Sequence, residues 1–454
     1  MGDAALSTGK LADFWDATEA KRDEAVLHGI LATHHQHYVR NTAYRNAVAA
    51  RGVGPRAVAA DLSRLLRPTS QTFKSYIELL GTPFPQDEPR GFGEWLADQL
   101  SVDLPRDRLR GLRSSYRSLE ALLRAVEETF ADFGLELLTS SGTSGRSTII
   151  ARDRRSTDLN VESFYLVFQR YLGMKADHLA IFMMPKRTRI AMARMARFSV
   201  QRVGLTSNRV HFAIPFPAHP DQVRIRAGRA FRTGRRGFVE RRVWHPAINT
   251  VQARYVDPRA TKVVLTLLDR ATRDGEQFLL FGSLTQLHGV ALALIDANRT
   301  VLLAPGSLLG TGGGMKEAYV FSPDEIRRDL ERAFRPADGG PLPLRDVYGM
   351  AEANWAAMQC SAGNYHVPPW IRAVVLDDDG EIRSDARVGG LLAFFDPFGG
   401  GDLFPGFFRT ADRVTLVSGR ENTLCRCGDG SAYLEKDSIQ RVDLLGEAGC
   451  AAQV

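Results

Sequence analysis

Short apolar runs alternate with helical stretches along most of this chain after Gly134, and this alternation restricts the fold more than any other feature. The runs have the length of buried strands, and helical stretches such as 284–298 and 323–334 lie between several of them. Strands that alternate with helices predict an α/β protein in which helices flank parallel sheets. The predicted strands are 135–138, 179–184, 263–268, 278–281, 301–303 and 371–376.

The two ends of the chain have sequence patterns that differ from this alternation of strands and helices. The first 130 residues are mainly helical in pattern, and one predicted helix at 116–133 carries apolar residues at spacings of three and four. Near the other end, glycine-rich turns and short strands at 390–395 and 413–418 predict a small β subdomain. We therefore expect a helical region over 1–130 that packs on the core, an α/β and β core over 131–412, and a short C-terminal segment over 413–454.

Composition restricts the partners and the compartment. Basic residues outnumber acidic ones by 59 to 52 in 454 residues, but 51 of the 59 are arginine, which looks like a general compositional bias. No nucleic-acid-binding motif accompanies the charge, so we expect no nucleic acid partner. Four cysteines, no leader-like start and no apolar stretch of membrane length predict a soluble cytoplasmic protein with no membrane span.

Arginines cluster once, with eight of them between Arg224 and Arg242. Guanidinium groups pair well with anions, so this segment is either a surface for phosphates or an acidic carrier protein, or a solvated surface insertion.

The loop at 140–147 is the most informative segment, because all its residues except Arg146 are Ser, Thr or Gly, and strand-like runs flank it. Glycines let the backbone approach a ligand, while hydroxyls and exposed N–H groups donate hydrogen bonds. The segment therefore predicts a phosphate-binding loop, with an ordinary hairpin turn as the alternative. It is not a Walker A loop, because no Gly-Lys-Ser/Thr follows. The predicted ligating residues are Ser140, Ser141, Gly142, Thr143, Ser144 and Gly145.

Two acidic residues downstream suit other parts of a nucleotide. Glu352 follows a Tyr348-Gly349 turn, where a carboxylate would hold a magnesium ion that completes its shell with water and phosphate oxygens. Asp412 follows a strand, where it would accept hydrogen bonds from two ribose hydroxyls.

In their order along the chain, segments 140–148, 348–352 and 409–412 resemble the signature loops of adenylate-forming enzymes, the superfamily of acyl-CoA synthetases, nonribosomal adenylation domains and luciferases. Ala411 stands where the superfamily has glycine in the last loop, but Asp412 is retained. The chain more closely resembles the LuxE-like acyl-protein synthetases, with phenylacetate-CoA ligases as relatives. This closer resemblance is carried by 37–44, 71–74, 312–316, 363–368 and 449–451.

The resemblance implies the large α/β domain of an adenylate-forming ligase, with ATP and Mg²⁺ as cofactors and a carboxylic acid as substrate. It implies an acyl-AMP intermediate, and then acyl transfer to a thiol of the enzyme or of a carrier. Glu352 would hold the magnesium and act in catalysis. Besides the loop residues, the expected nucleotide-binding residues are Gly312, Gly313, Gly314, Tyr348, Gly349, Met350 and Asp412.

The resemblance also raises the question of how the reaction is completed. Superfamily members usually continue into a mobile domain with a catalytic lysine, whereas 42 residues follow Asp412 here, so we expect that domain to be truncated or absent. Lys316 is then the candidate cation at the α-phosphate, unless it is a surface residue. Cys450 lies where LuxE-like enzymes carry the cysteine that accepts the acyl group and passes it to a partner reductase; the alternative is an inert thiol.

The remaining histidines and cysteines have weaker patterns. We expect His366 to line the acyl site, or else to be a core histidine, and Cys360 to pack in the core. Cys425 and Cys427 are spaced like half of a zinc site, but the second pair is absent unless Cys450 and a distant histidine supply it, which argues against zinc. The histidines at 34–37 are interpreted as a helix surface. Functional alternatives are an acyl-CoA or amide-forming ligase that uses the same adenylate, and a non-catalytic nucleotide-binding module.

Overall fold

A computed structural model describes residues 11–140, 147–191, 193–194, 202, 204–228, 230–313, 319–419 and 423–442. Its first part is helical, as predicted, and its helices are α1 (Asp13–Asp16), α2 (Glu19–Arg40), α3 (Thr42–Ala49), α4 (Leu62–Leu65), α5 (Ser70–Phe73), α6 (Tyr76–Leu80), α7 (Pro89–Gln99) and α8 (Leu119–Thr129). The predicted apolar face of α8 is buried, and the side chain of Ser118 caps the helix by accepting a hydrogen bond from the amide of Ala121. This region shares one continuous core with the sheet.

Two histidines of α2 are buried, so their assignment to a helix surface is wrong. The ring of His34 bonds to the hydroxyl of Tyr44 at 2.9 Å and to the carbonyl of Gly54 at 2.8 Å. The ring of His37 lies 2.6 Å from the hydroxyl of Ser101, and burial lowers the pKa of His37 to about 3. The error has a simple cause: helix α2 packs its polar residues against neighbours that satisfy them.

A single large mixed sheet organises the rest of the molecule. Five of its strands are β4 (Leu179–Pro185), β5 (Val210–Ile214), β6 (Phe278–Gly282), β8 (Leu308–Gly312) and β10 (Leu344–Gly349). These five run parallel in the order β10-β8-β6-β4-β5. Helices α9 (Arg154–Leu172), α13 (Asp257–Asp274), α14 (Leu284–Asp296) and α15 (Pro323–Ala333) complete the α/β architecture, and α13, α14 and α15 contribute to a second core with β4, β6 and β8. The predicted fold class is confirmed.

One predicted strand is wrong, because residues 263–268 form the middle of helix α13. Val264, Leu267, Leu268 and Ala271 are all buried, and their spacing of three and four residues is that of a helical face. A compact run of β-branched and leucine residues concealed this period.

Helix α13 ends a longer helical stretch, formed by α11 (Gly234–Val239), a π-helical turn (Glu240–Trp244), α12 (His245–Val251) and a second π-helical turn (Gln252–Val256). Each π turn adds a residue to the local repeat and so rotates the face that follows. Helix α10 (Pro220–Ala227) precedes this stretch.

Antiparallel strands continue the hydrogen-bonded path of the main sheet beyond β10. They are β11 (Ala356–Gln359), β12 (Tyr365–His366), β13 (Arg372–Leu376), β14 (Ile382–Arg383), β15 (Arg387–Asp396), β16 (Gly406–Val417), β17 (Tyr433–Leu434) and β18 (Gln440–Arg441). The short strand β1 (Arg67–Pro68) pairs with β16, and β18 also pairs with β16. Two small sheets pair β2 (Glu136–Thr139) with β3 (Ile149–Arg152), and β7 (Val301–Leu303) with β9 (Phe334–Pro336). The last described residues therefore belong to the main sheet.

The arginine-rich segment matches neither alternative completely. Arg224 and Arg232 are buried and surround Glu240, which accepts hydrogen bonds from the guanidinium of Arg224 at 2.7 and 2.9 Å and from the amide of Arg232 at 2.9 Å. Both guanidinium groups also lie over the ring of Phe84. These two arginines therefore anchor the segment to the N-terminal region, while the other arginines described in it are exposed. Among the residues that the structure describes, no helix is apolar enough over a sufficient length to cross a membrane.

Candidate active site

A cleft of about 1310 Å³ lies at the carboxyl ends of the parallel strands. Residues at or just beyond the ends of β4, β6, β8 and β10 line it, including Pro185, Gly282, Gly312 and Gly349. Open parallel sheets bind ligands at this edge, because the strand ends and the loops that follow them converge there. The fold thus provides a site at the place where the sequence predicted nucleotide-binding residues.

The β2–β3 hairpin places the two described ends of the Ser/Thr/Gly segment at this cleft. Its base is closed by two hydrogen bonds, from the amide of Ser140 to the carbonyl of Thr148 at 3.1 Å, and from the amide of Thr148 to the hydroxyl of Ser140 at 3.0 Å. Ser140 and Thr148 both line the cleft. Ser141, Gly142, Thr143, Ser144 and Gly145 lie outside the described residues, so their phosphate-binding role remains a prediction.

Thr148 connects this hairpin to the predicted magnesium ligand. Its hydroxyl donates a hydrogen bond of 2.6 Å to a carboxylate oxygen of Glu352, although 204 residues separate the two in sequence. Both residues line the cleft. Glu352 is half-buried and has a second carboxylate oxygen with which to bind a cation.

A second long-range hydrogen bond joins the other two predicted motifs. The phenol of Tyr348 donates to a carboxylate oxygen of Asp412 at 2.6 Å, and each residue is only 4% exposed. Burial, followed by the nearby Asp412 carboxylate, raises the pKa of Tyr348 well above its usual value. The tyrosine therefore stays protonated and fixes the carboxylate, which lines the cleft.

Arg152 at the end of β3 is a candidate positioning residue that the sequence analysis missed. Its buried guanidinium donates hydrogen bonds to the carbonyls of Ala351, Ala353 and Gly399 at 3.2 to 3.4 Å. Burial lowers the pKa of Arg152 to about 10, which still leaves it charged near neutral pH. Arg152 thus holds the residues on both sides of Glu352. In the sequence it follows an ordinary strand, and no local pattern marks it.

Buried polar atoms without partners are a further property of the cleft wall. Among the described residues, the hydroxyl oxygen of Thr139 and the amide oxygens of Asn160 and Asn354 are buried and make no hydrogen bond. All three residues line the cleft. Buried polar groups are normally hydrogen-bonded, so these atoms fit a site that binds a polar ligand.

The glycine segment after β8 reaches the same cleft. Gly312 and Gly313 line it, and Gly313 has a φ of 88°, a conformation that favours glycine. Gly314 and Lys316 lie outside the described residues. Other basic side chains do line the cleft, namely Lys74, Arg226, Arg259 and Arg441. Lys74 belongs to the segment at 71–74 that carried the family resemblance, although no role was predicted for it.

Apolar side chains of the long helical stretch line another part of the cleft. Trp244, Val251 and Tyr255 are each 51 to 53% exposed, although they are large and apolar. With Ile248 they border the cleft, together with Ile214, Phe216, Met183 and Met184 from the ends of β4 and β5 and the loop that follows. Large apolar side chains that remain exposed around a cavity are typical of a binding site for an apolar group.

The structure places His366 outside the cleft lining and in the core, which fits the alternative of a core histidine rather than a position at the acyl site. It is fully buried in β12, and its ring lies beside Cys360, Cys425 and Cys427. The expected burial of Cys360 is borne out at 3% exposure. Cys450 lies outside the described residues.

Comparisons with known proteins give structural likenesses only. No protein-family model matches the chain, and no curated protein matches it. A 2-hydroxyisobutyryl-CoA ligase solved with 2-HIB-AMP and CoA superposes with a TM-score of 0.49 at 12% identity, over 97% of this chain and 72% of the ligase.

Two other solved proteins match a smaller share of the chain. A long-chain-fatty-acid-CoA ligase from Archaeoglobus fulgidus gives a TM-score of 0.38 at 12% identity, over 67% of this chain and 51% of its own. The McyG A-PCP protein, complexed with phenylalanyl-adenylate, gives a TM-score of 0.40 at 12% identity, over 68% of this chain and 41% of its own. All these TM-scores are below 0.5, so we infer the function from the residues of the cleft.

Proposed function

We propose that this protein activates a carboxylic acid with ATP and then transfers the acyl group to a thiol. In the first step a carboxylate oxygen bonds to the α-phosphorus of ATP, and the bond from that phosphorus to the bridging oxygen breaks. The products are acyl-AMP and pyrophosphate. In the second step a thiolate bonds to the acyl carbon, and AMP leaves. Both steps rely on positioning and on neutralising charge.

One observation carries this proposal: two hydrogen bonds bring three distant polar motifs to one edge of a parallel sheet. Thr148 bonds to Glu352, and Tyr348 bonds to Asp412. Thr148, Glu352 and Asp412 line the same cleft, and Tyr348 lies buried behind Asp412. A nucleotide needs contacts to phosphate, ribose and base, and these motifs offer hydroxyls, carboxylates and glycine backbone at one site. The unpartnered oxygen of Thr139 at the wall supports a polar ligand there.

Each motif has a proposed role in binding the nucleotide. The loop at 140–145 holds the phosphates, and Asp412, fixed by Tyr348, accepts hydrogen bonds from the ribose. The base is bound by the 348–350 turn and by the glycines at 312–314, of which Gly314 lies outside the described residues. Lys316 is proposed to stabilise charge at the α-phosphate, and Lys74 is a second cation at the cleft.

The donors present fit a magnesium ion, because Glu352 has a free oxygen at a cleft that is also lined by hydroxyls. Magnesium would neutralise charge on the phosphates of ATP. Glu352 would hold the ion with its carboxylate, which the hydrogen bond from Thr148 keeps oriented.

The apolar border of the cleft favours an acid with a sizeable apolar group. Trp244, Ile248, Val251 and Tyr255 offer aromatic and aliphatic surface that a small acid such as acetate would leave uncovered. Burying a methylene contributes about 0.8 kcal/mol, so several of them would separate a long-chain or aryl acid from acetate by orders of magnitude in affinity.

The test is acid-dependent exchange of labelled pyrophosphate into ATP, with magnesium and a panel of acids from acetate to long-chain and aromatic members. We expect exchange that requires both the acid and magnesium, and that rises with the apolar size of the acid. No exchange with any acid would instead indicate a non-catalytic nucleotide-binding module. A requirement for CoA or an amine in product formation, without acyl-protein, would favour an acyl-CoA or amide-forming ligase.

The thiol acceptor is tested separately, because we propose Cys450 from the family resemblance. With ATP and a labelled acid, the protein is expected to acquire label that hydroxylamine removes, as a thioester would. Cys450→Ser is expected to lose this label and to keep pyrophosphate exchange, since adenylation precedes thiol attack. Label that survives in Cys450→Ser would contradict the assignment. An acyl reductase or an acidic carrier protein is then the proposed partner that takes up the acyl group.

A further inference from the structure

A compact group of metal-binding side chains lies outside the cleft, and neither step of the proposed reaction uses it. It consists of Cys360, His366, Cys425 and Cys427, and each contributes one ligand atom within 4.8 Å of all the others. None of these residues lines the cleft. We propose that this group, the Cys₃His cluster, is a structural zinc site.

The distances between the ligand atoms match a tetrahedral ion. Zinc bonds of ~2.3 Å to sulfur and ~2.05 Å to nitrogen give tetrahedral edges of ~3.8 Å between two sulfurs and ~3.6 Å from sulfur to nitrogen. The sulfurs of Cys360 and Cys425 are 3.8 Å apart, and the sulfur of Cys427 is 3.3 Å from Nε2 of His366. These two distances are close to the tetrahedral edges, and all four ligand atoms lie within 4.8 Å of one another.

The histidine ring is oriented by neighbours, as in known metal sites. Nδ1 of His366 lies 3.0 Å from the hydroxyl of Ser431, and that hydroxyl donates to Asp429 at 2.7 Å. The Ser431 oxygen therefore accepts the Nδ1 proton, which leaves the lone pair of Nε2 directed at the cysteines. Arg170 fixes Asp429 in turn, at 3.0 Å. A bonded second ring nitrogen is the usual support of a histidine that ligates metal.

A backbone turn in each of the two cysteine-containing segments fixes the position of its cysteines. The amide of Gly363 bonds to the carbonyl of Cys360 at 3.0 Å, and the amide of Gly428 bonds to that of Cys425 at 2.8 Å. Gly363 and Gly428 both have a φ of 86°, which favours glycine after each cysteine turn. The side-chain amide of Asn364 also donates to the sulfur of Cys425, at 3.5 Å. Such N–H contacts stabilise the negative charge of a thiolate ligand.

The donor set indicates zinc and a structural role. Three thiolates and an imidazole in a tetrahedron are soft ligands that suit zinc, and four protein ligands leave no open position for catalysis. Binding converts three thiols to thiolates and releases three protons for each ion bound. The cysteines are not joined by a disulfide.

The position of the cluster explains what the ion would hold together. His366 pairs with Met358 in β11 and with Tyr433 in β17, and β11 pairs in turn with β10, the strand that carries Tyr348. Zinc would thus fasten the segment at 425–434 to the strands beside the cleft. Cys360 and His366 lie 59 or more residues before Cys425, so no local spacing in the sequence groups them with Cys425 and Cys427.

The test is metal content and coordination, which do not depend on activity. Protein purified without chelators is expected to contain about one zinc per chain by elemental analysis. Co²⁺ exchanged into the site is expected to give the intense visible absorption of tetrahedral cobalt with thiolate ligands. Cys427→Ser, at the least buried ligand, and His366→Ala are expected to lose the zinc and this spectrum, whereas Cys450→Ser retains both.

Several results would overturn the proposal. They are a protein that takes up no zinc after reduction and reconstitution, equal zinc content in wild type and in a Cys425→Ser/Cys427→Ser variant, or iron in place of zinc. Circular dichroism of each variant separates loss of metal from loss of fold: a folded Cys427→Ser protein that still binds one zinc also contradicts the site. A zinc-loaded protein without pyrophosphate exchange would leave this inference intact and refute only the proposed function.

Discussion

Glu352→Gln is expected to lower the rate of acid-dependent pyrophosphate exchange by about 100-fold or more, because several kcal/mol of charge stabilisation depend on the metal ion. The amide keeps the size of the carboxylate and can still accept the hydrogen bond from Thr148, which now measures 2.6 Å. It loses the negative charge that binds magnesium. The loss is therefore expected to be partly recovered at high magnesium, which a purely structural defect would not show.

Two further variants complete this experiment. Glu331→Gln changes an exposed glutamate on α15 that does not line the cleft, and it is expected to leave exchange unchanged. Thr148→Val removes only the hydroxyl that orients Glu352, so a smaller loss is expected, of about 10-fold. If adding Thr148→Val to Glu352→Gln does not lower the exchange rate further, the two residues act as a unit. Exchange that is unaffected by Glu352→Gln would contradict the metal-binding role.

The α/β class was predictable because strand and helix periods are local properties of the sequence. Apolar runs at 179–184 and 278–281 correspond to β4 and β6, whose residues are buried on both faces and so read as continuous apolar segments. The same criterion failed at 263–268, where tertiary packing selected a helix for a similar run. Burial of His34 and His37 also escaped prediction, since it depends on partners such as Tyr44 and Ser101 that no local pattern specifies.

Some residues of the candidate site were also predictable from the sequence, and others were not. Glu352, Asp412 and the loop at 140–147 belong to contiguous motifs, so their chemistry was visible in the sequence. Arg152 was not, because its significance comes from the carbonyls that it contacts about 200 residues away. The Cys₃His cluster shows the limit most clearly: its ligands belong to two short segments, and only the strand pairing of β12 with β17 brings them together.

Arg152→Met is expected to have the second large effect, on stability as well as on exchange. Methionine fills much of the volume but leaves the carbonyls of Ala351, Ala353 and Gly399 without their donor, and the hydrogen bonds to Ala353 and Gly399 are buried. Removing one partner of buried polar groups typically costs 1–3 kcal/mol, so we expect a loss of about 3 kcal/mol in the free energy of unfolding. Exchange should fall as well, because the turn that holds Glu352 loses its anchor.

The pH dependence of this loss distinguishes the charge of Arg152 from its shape. Asp396 lies near Arg152, and burial raises its pKa to about 6. When the pKa of a carboxyl is higher in the folded state than in the unfolded state, its contribution to stability is fully present at pH values below the unfolded-state pKa. This contribution is lost as the pH rises through the folded-state pKa. Without the cation the folded pKa of Asp396 rises further. The destabilisation by Arg152→Met is therefore expected to be larger at pH 8, where Asp396 is charged in the wild type, than at pH 5, where it is mostly protonated.

Denaturant unfolding at the two pH values measures this difference, with Arg152→Lys as the matched variant. Lysine keeps the charge beside Asp396 but cannot reach three carbonyls with a planar fork, so it is expected to restore the wild-type pH dependence while recovering exchange only in part. An equal loss at pH 5 and pH 8 in Arg152→Met would mean that packing alone accounts for the residue. A normal KM for MgATP with a lowered kcat in Arg152→Lys would place its contribution in the orientation of Glu352 rather than in nucleotide affinity.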